Sequence, residues 1–588
     1  MTTRRLLWRN LRFHWRGNLA VVLGVAVATA VLTGALLVGD SLRGSLRERA
    51  DEQRAGIDYL LVSPRFIAAP KSQNNSRTLD GAILLQGSLR SANDDARNVS
   101  GVTIIGINSV ENFAHKYGLA SASAAIRSSW LDLGLQSAAY ANKPVPQWAD
   151  DATLKNGVLL SEETAHGLAA ESMPITIRLS RIETIPRESI LGRRDSEQTS
   201  LSLTLPVGRI VSDGSVLAQF RPIPGPGPTR NVFVYLPALQ EAINAKGRGN
   251  ALFAKGGNLA DYQRDLPNLI SLEDWGIRVE APGRYLSVES TESILSPAVA
   301  GAVDRAAKRM NLTAAPTLVY LANSISQDKQ SIPYSVVAAL DPSAPPPLGP
   351  FLPEGVTSLA DNEIILADWR DSPLKDVPVG STITLNFFEP ELADGQLREK
   401  QAEFKLKGRV PLEIDRPAPE PRAMRTAAAD PHLTPGFPGI TDRLSIRDWN
   451  PPFPFDNKRI QKRDENFWQK HKATPKAYVT LAAGQKLWAS RYGKLTSIRL
   501  AVPGEDSDKV NWEERTKEFK KVLHEELRPE EGGFIWQDLR ARADAASEGG
   551  QDYGMLFLSF SFFLIVSALM LTGLLVQLNL QRRASEIG

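Results

Sequence analysis

At 588 residues the chain is too long for one compact core and should divide into several domains. A net charge of only +3 with 7% aromatic residues argues against a nucleic-acid binder, and the absence of cysteine excludes a disulfide framework, a thiolate metal site and a thiol nucleophile. The positive charge gathers at the two ends: residues 1–39 hold five arginines and no acid, and Arg582, Arg583 and Glu586 leave the last stretch positive.

Residues 1–18 predict an amphipathic helix. Arg5, Arg9, Arg12 and Arg16 fall on one side, and Leu7, Trp8, Leu11 and Trp15 gather on another. Such a helix suits a lipid headgroup layer, with Arg5, Trp8, Arg9, Arg12, Trp15 and Arg16 at the interface. Residues 19–38, "LAVVLGVAVATAVLTGALLV", carry no charge and reach the roughly 20 residues that cross a bilayer, so they predict a first transmembrane helix. The rival reading is a cleaved signal peptide, with "ATA" (Ala28–Ala30) as its small-x-small site; the run to Val38 is long for that.

Residues 39–56 are densely charged good helix formers and predict a stalk that continues the first helix. Residues 57–535 alternate short apolar runs, among them "IDYLLV", "GAILLQG", "GVTIIGI", "NVFVYL" and "TLVYLA", with polar helices and Pro-rich breaks. This is an α+β region of several modules. Within it "NGVLLSE" (Asn156–Glu162) matches "NEIILAD" (Asn362–Asp368), "PITIRL" (Pro174–Leu179) matches "STITLNF" (Ser381–Phe387), and "VGRI" (Val207–Ile210) matches "KGRV" (Lys407–Val410). Three matches in one order predict a repeated β-rich module at about 150–215 and 356–414. The stretch with Trp449, Phe453, Phe455, Phe467 and Trp468 reads as a recognition groove or as an irregular layer packed on a sheet.

Residues 536–554 predict a returning stalk, residues 555–578 a second transmembrane helix, and residues 579–588 the start of a further segment. Small residues at four-residue spacing, Ala26, Ala30 and Gly34 in the first span and Ala568 and Thr572 in the second, suit close helix packing. Arginines outside both spans place both ends in the cytoplasm, at the inner membrane, with the large region outside the cell membrane.

No chemistry stands out. Walker A and G-x-S-x-G patterns are absent; "SPLK" (Ser372–Lys375) lacks its S-D-N or K-T-G partner. The six histidines are scattered without a metal-binding pair, so no enzyme, metal or cofactor is expected.

The layout and the terminal "LNLQRRASEIG" resemble the FtsX/MacB-type permeases, the membrane subunits of mechanotransmitting ABC transporters. Arg583, Glu586, Ile587 and Gly588 look like that family's E-R-x-x-E-I-G coupling element, with Arg582 where its first glutamate is usual. The resemblance implies a partner ATPase on the cytoplasmic face, contacts with the lipid bilayer, a homodimer or a second permease half, and a coupling helix that this chain only begins. It also implies that ATP hydrolysis moves the external domain to export or extract a substrate. The alternative is a two-span receptor or regulator, for example of a cell-wall hydrolase, whose external domain binds a partner without transport.

Overall fold

A computed structural model describes residues 3–68, 78–92, 97–109, 151–168, 174–180, 200–211, 216–222, 228–391, 397–414, 424–437, 439–504 and 509–548, with short helical runs between 562 and 581. Helix α1 (Thr3–Phe13) is followed by α2 (Trp15–Arg54), one continuous helix of 40 residues. The remaining helices are α3 (Asp151–Asn156), α4 (Glu162–Leu168), α5 (Val216–Gln219), α6 (Leu236–Ala242), α7 (Leu259–Leu269), α8 (Pro297–Arg309), α9 (Lys462–His471), α10 (Leu481–Trp488), α11 (Trp512–Glu526) and α12 (Leu539–Glu548).

The first half of the body holds β1 (Tyr59–Ala68), β2 (Thr78–Ser91), β3 (Asn98–Ile107), β4 (Val158–Ser161), β5 (Ile175–Ser180), β6 (Ser200–Leu205), β7 (Val207–Val211), β8 (Asn231–Tyr235) and β9 (Arg248–Lys255). The first half ends with β10 (Ile277–Glu280), and the second holds β11 (Leu286–Ser290), β12 (Thr313–Gln327), β13 (Gln330–Leu340), β14 (Glu363–Asp368), β15 (Thr382–Phe388) and β16 (Glu399–Pro411). The short β17 (Glu413–Ile414) and β18 (Met424–Arg425) follow, then β19 (Ala477–Thr480), β20 (Ser497–Ala501) and β21 (Trp536–Asp538).

Six strands of the second half close into a barrel in the order β12–β13–β19–β14–β16–β15, and β15 pairs back onto β12. Around the ring the pairings run antiparallel, parallel, antiparallel, parallel, antiparallel and antiparallel. The first half repeats this sequence of pairings through β2–β3–β8–β4–β7 and β6–β5–β2. There β6 and β7, parted only by Pro206, stand where the long β16 stands in the second half. The segments that match in sequence are therefore β4 with β14, β5 with β15, and β7 with the end of β16. Both rings carry a β-bulge at the same junction, between Val158 and Leu159 and between Ile364 and Ile365.

Each barrel extends into a small α/β layer. β9 pairs with β2 and carries β1; β20 pairs with β12 and carries β11. The last strand of each half then crosses over. β10 follows β9 and α7 in the chain but pairs with β11, and β21 follows β20 and α11 but pairs with β1. The two layers consequently share one core, in which Leu61, Leu252, Leu266 and Trp275 of the first half pack with Val288, Ile498, Phe519 and Phe534 of the second. Trp275 and Phe534 meet edge to face at 5.2 Å across it. The ends of the layer helices are built alike: Asn258 caps α7 and Asn511 caps α11 through their side chains.

The body is α+β, but the expectation of two transmembrane helices is corrected. Among the described residues, no helix is long and apolar enough to cross a membrane. The charge-free stretch of residues 19–38 is only part of α2, whose other turns carry Arg16, Asp40, Glu48, Asp51 and Arg54. Most of the second stretch, residues 555–578, lies outside the described residues. The membrane-protein reading and the inner-membrane placement, with both ends cytoplasmic, rested on those spans and fall with them. The predicted returning stalk also begins differently, because Trp536–Asp538 is strand β21 and the helix starts only at Leu539.

Candidate functional site

The charged end of α2 and the start of α12 pack side by side and meet the body at one point. Helix α2 stops because Ala55 and Gly56 take left-handed backbone angles, φ 52° and 71°. Glycine adopts that conformation freely, whereas for the buried Ala55 it is a strained position held by its surroundings. The chain then turns into β1 through Ile57, which is fully buried.

Asp58 ties this turn together with four separate hydrogen bonds. Its N–H donates to the Ala254 carbonyl of β9 at 2.9 Å, and its carbonyl accepts from the Leu539 N–H, the first residue of α12, at 2.9 Å. Its carboxylate accepts from Arg54 Nη1 on one oxygen at 3.0 Å and from the Gly256 N–H on the other at 2.8 Å. Arg54 also donates to Asp51 at 2.7 Å and to the Ile57 carbonyl at 3.2 Å, so the last turn of α2 is clamped to the two residues that lead into β1. Both Arg54 and Asp58 side chains are about four-fifths covered, a setting in which charge-assisted bonds outweigh those on an open surface.

Helix α12 is fastened symmetrically. Its capping residue Asp538 accepts from the Ala541 N–H at 2.8 Å, and Asp538 is paired in register with Tyr59 of β1. Tyr262 of α7 wedges between Tyr59 and Trp536, 5.3 Å from each ring. The two helices thus leave the body from neighbouring antiparallel strands, β1 and β21, one from each half of the chain. A third tie links the halves: Arg65 of β1 forms a two-pronged ion pair with Glu292, at 2.6 and 2.7 Å, and donates to the Trp275 carbonyl. Burial holds the Glu292 carboxyl above its usual range, against the opposing pull of Arg65.

The residues expected from sequence fall unevenly. Arg582, Arg583, Glu586, Ile587 and Gly588 lie outside the described residues, as does Ala568. Arg5, Trp8, Arg9 and Arg12 are exposed on α1, and Trp15 and Arg16 are exposed at the start of α2. Ala26 and Ala30 are exposed, and a side chain at Gly34 would meet open space. Thr572 does sit in a close helix contact, but its neighbour is Gly24, where an added Cβ would lie 3.2 Å from Thr572 Oγ1. Gly24, Arg54, Asp58 and Leu539 were missed. The available signal was "RAGID", a helix-stopping pair followed by an acid at the mouth of an apolar strand.

Among the described residues no group of three or more histidine, aspartate or glutamate side chains is placed to hold a metal. Trp449, Phe453, Phe467 and Trp468 are buried, in an irregular layer packed on the second barrel. No family model and no curated protein matches the chain.

Proposed function

We propose that the chain is the force-transmitting subunit of an ATP-driven assembly. In this reading a partner ATPase engages Arg582, Arg583, Glu586, Ile587 and Gly588. The paired helices α2 and α12 carry the movement, and the two-barrel body acts on a substrate. The observation that carries the reading is the Asp58 junction, where both helices are bonded to adjacent strands of a core shared by both halves. A displacement of the helix pair therefore reaches the two barrels together rather than one alone. The resemblance of the terminal segment to a coupling element supports the ATPase as the source of movement. In physical terms the ATPase biases a two-state arrangement, and the body reports which state is occupied.

The test is isolation of the full chain from its native cell with ATP present, followed by measurement of ATP hydrolysis in the isolated material. Retained hydrolysis that is lost in Glu586→Ala, with the chain otherwise unchanged, is the expected result. Isolation without any ATPase activity would contradict the proposal and favour a body that binds its partner without ATP.

A further inference from the structure

The two halves differ most at one connection. In the first half β7 reaches β8 through residues 212–230, and that short link is pinned by Asn231, whose side-chain amide donates to the carbonyls of Leu217, Ala218 and Phe220. In the second half the equivalent link from β16 to β19 spans residues 412–476 and contains α9 and several single-turn helices. The first barrel has the same ring of pairings with the short form, so the long form is not needed to build a barrel.

The added layer is firmly fastened. Tyr478 Oη donates to the Ala428 carbonyl at 2.6 Å, and the Asp456 N–H donates to Tyr334 Oη at 2.8 Å. The Arg459 guanidinium lies over the Tyr334 ring at 5.1 Å and donates to the Asn323 carbonyl at 3.2 Å. Beneath the layer, against the barrel wall, is a partly enclosed cavity of about 50 Å³. Phe437, Ile440 and Trp468 of the added layer face Leu318 and Val336 of the barrel and Trp488 of α10 across it. No charged side chain lines it; its polar groups are five hydroxyls, the Asn323 amide and the indole N–H groups of Trp468 and Trp488.

From this we infer that the added layer of the second half forms a binding site for a small uncharged apolar molecule, with the layer as its cover. Of the two like barrels, only the second carries a long link that roofs a cavity. An interior that packs elsewhere at crystal-like density leaves this space open at a cost in stability. A cavity whose walls are mainly apolar can accept an apolar guest. The space is about a third of an engineered ~150 Å³ cavity that takes benzene, so the closed form suits a guest of xenon size. A ring-sized guest requires the layer to shift outwards. This inference stands on the cavity and does not depend on the ATPase reading.

The test uses the full chain with two probes, xenon followed by ¹²⁹Xe NMR and hexafluorobenzene followed by ¹⁹F NMR. Saturable binding of one xenon per chain in fast exchange, with slower exchange of hexafluorobenzene, is expected. Ala473→Leu, which fills the cavity from its wall, should weaken both at least tenfold, whereas Leu444→Ala on the exposed surface should change neither. If Ala473→Leu does not fold, as judged by its melting transition, Val336→Ile serves the same purpose with a smaller loss. No saturable binding, or binding that the filled variants leave unchanged, overturns the inference and places the probes on the exposed apolar helices instead.

Discussion

The N–H of Leu539 donates to the carbonyl oxygen of Asp58 across 2.9 Å, joining the first residue of α12 to the strand that begins just beyond α2. Because the Asp58 carboxylate also holds Arg54 and the Gly256 N–H, one residue gathers the end of α2, the start of α12 and the end of β9. In the proposed function, this junction is where a movement of the helices would become a movement of the body.

Asp58→Ala keeps the two backbone bonds and removes both carboxylate bonds. It leaves the Arg54 guanidinium partly covered and one carboxylate short, so a loss of about 2 kcal/mol or more is expected. Urea unfolding gives the magnitude. Hydrogen exchange should quicken in the last turn of α2 and the first turn of α12 while the barrel strands stay protected. Uniform loss of protection through both barrels would mean that Asp58 supports the fold at large and not the junction.

Arg65 and Glu292 should be coupled. Both side chains are mostly covered, and removal of either leaves the other buried without its partner. Arg65→Ala and Glu292→Ala are each expected to cost more than half of what the double variant costs, with a coupling of about 1–3 kcal/mol in a double-mutant cycle. Simple additivity would show that this pair does not hold the two halves together.

Lys476 sits almost fully buried, with its ammonium 4.6 Å from the Phe467 ring centroid and 5.5 Å from that of Trp369. Burial pushes its pKa down to about 8; Asp464 opposes the shift and Arg463 adds to it. The folded protein thus releases this proton before the unfolded chain does. Between about pH 8 and the ordinary lysine value near 10.4 the unfolded state binds more protons, so this group's contribution to stability rises with pH. Below pH 8 the burial cost is present in full. Lys476→Met should accordingly be more stable than the parent at pH 7, by about 1–3 kcal/mol, and the gap should close as the pH approaches 10.4. Thermal melts of both proteins across that range provide the check, and a gap independent of pH would contradict the assignment.

Much of the body is written in local pattern. "GVTIIGI" is β3, "NVFVYL" becomes β8, and "WEERTKEFKKVLHEEL" is α11, because alternation, β-branched content and helical spacing act over a few residues. The matches between β4 and β14 or β5 and β15 were visible for the same reason. The crossing of β10 and β21 was not, since which strand lies beside β1 is decided by a core assembled from both halves. Asp58 was hidden too: an aspartate after a helix stop is ordinary, and only its partners, drawn from three stretches of the chain around residues 54, 254–256 and 539, make it a junction. The membrane spans were over-read. The charge-free run of residues 19–38 reads as a span in the sequence, whereas among the described residues no helix is long and apolar enough to cross a membrane.

The central claim is that the helix pair moves both barrels as one. Because the chain has no cysteine, labels can be introduced cleanly at Ser45 on α2, at Lys246 on the first half and at Val379 on the second, the last two being exposed turns. Electron–electron distances from Ser45 to each of the other two should be measured in the full chain with its ATPase, first without nucleotide and then with ATP. The account predicts that both distances change between the two conditions, and that the Lys246-to-Val379 distance stays fixed. A change confined to one half, or none in either, would contradict it.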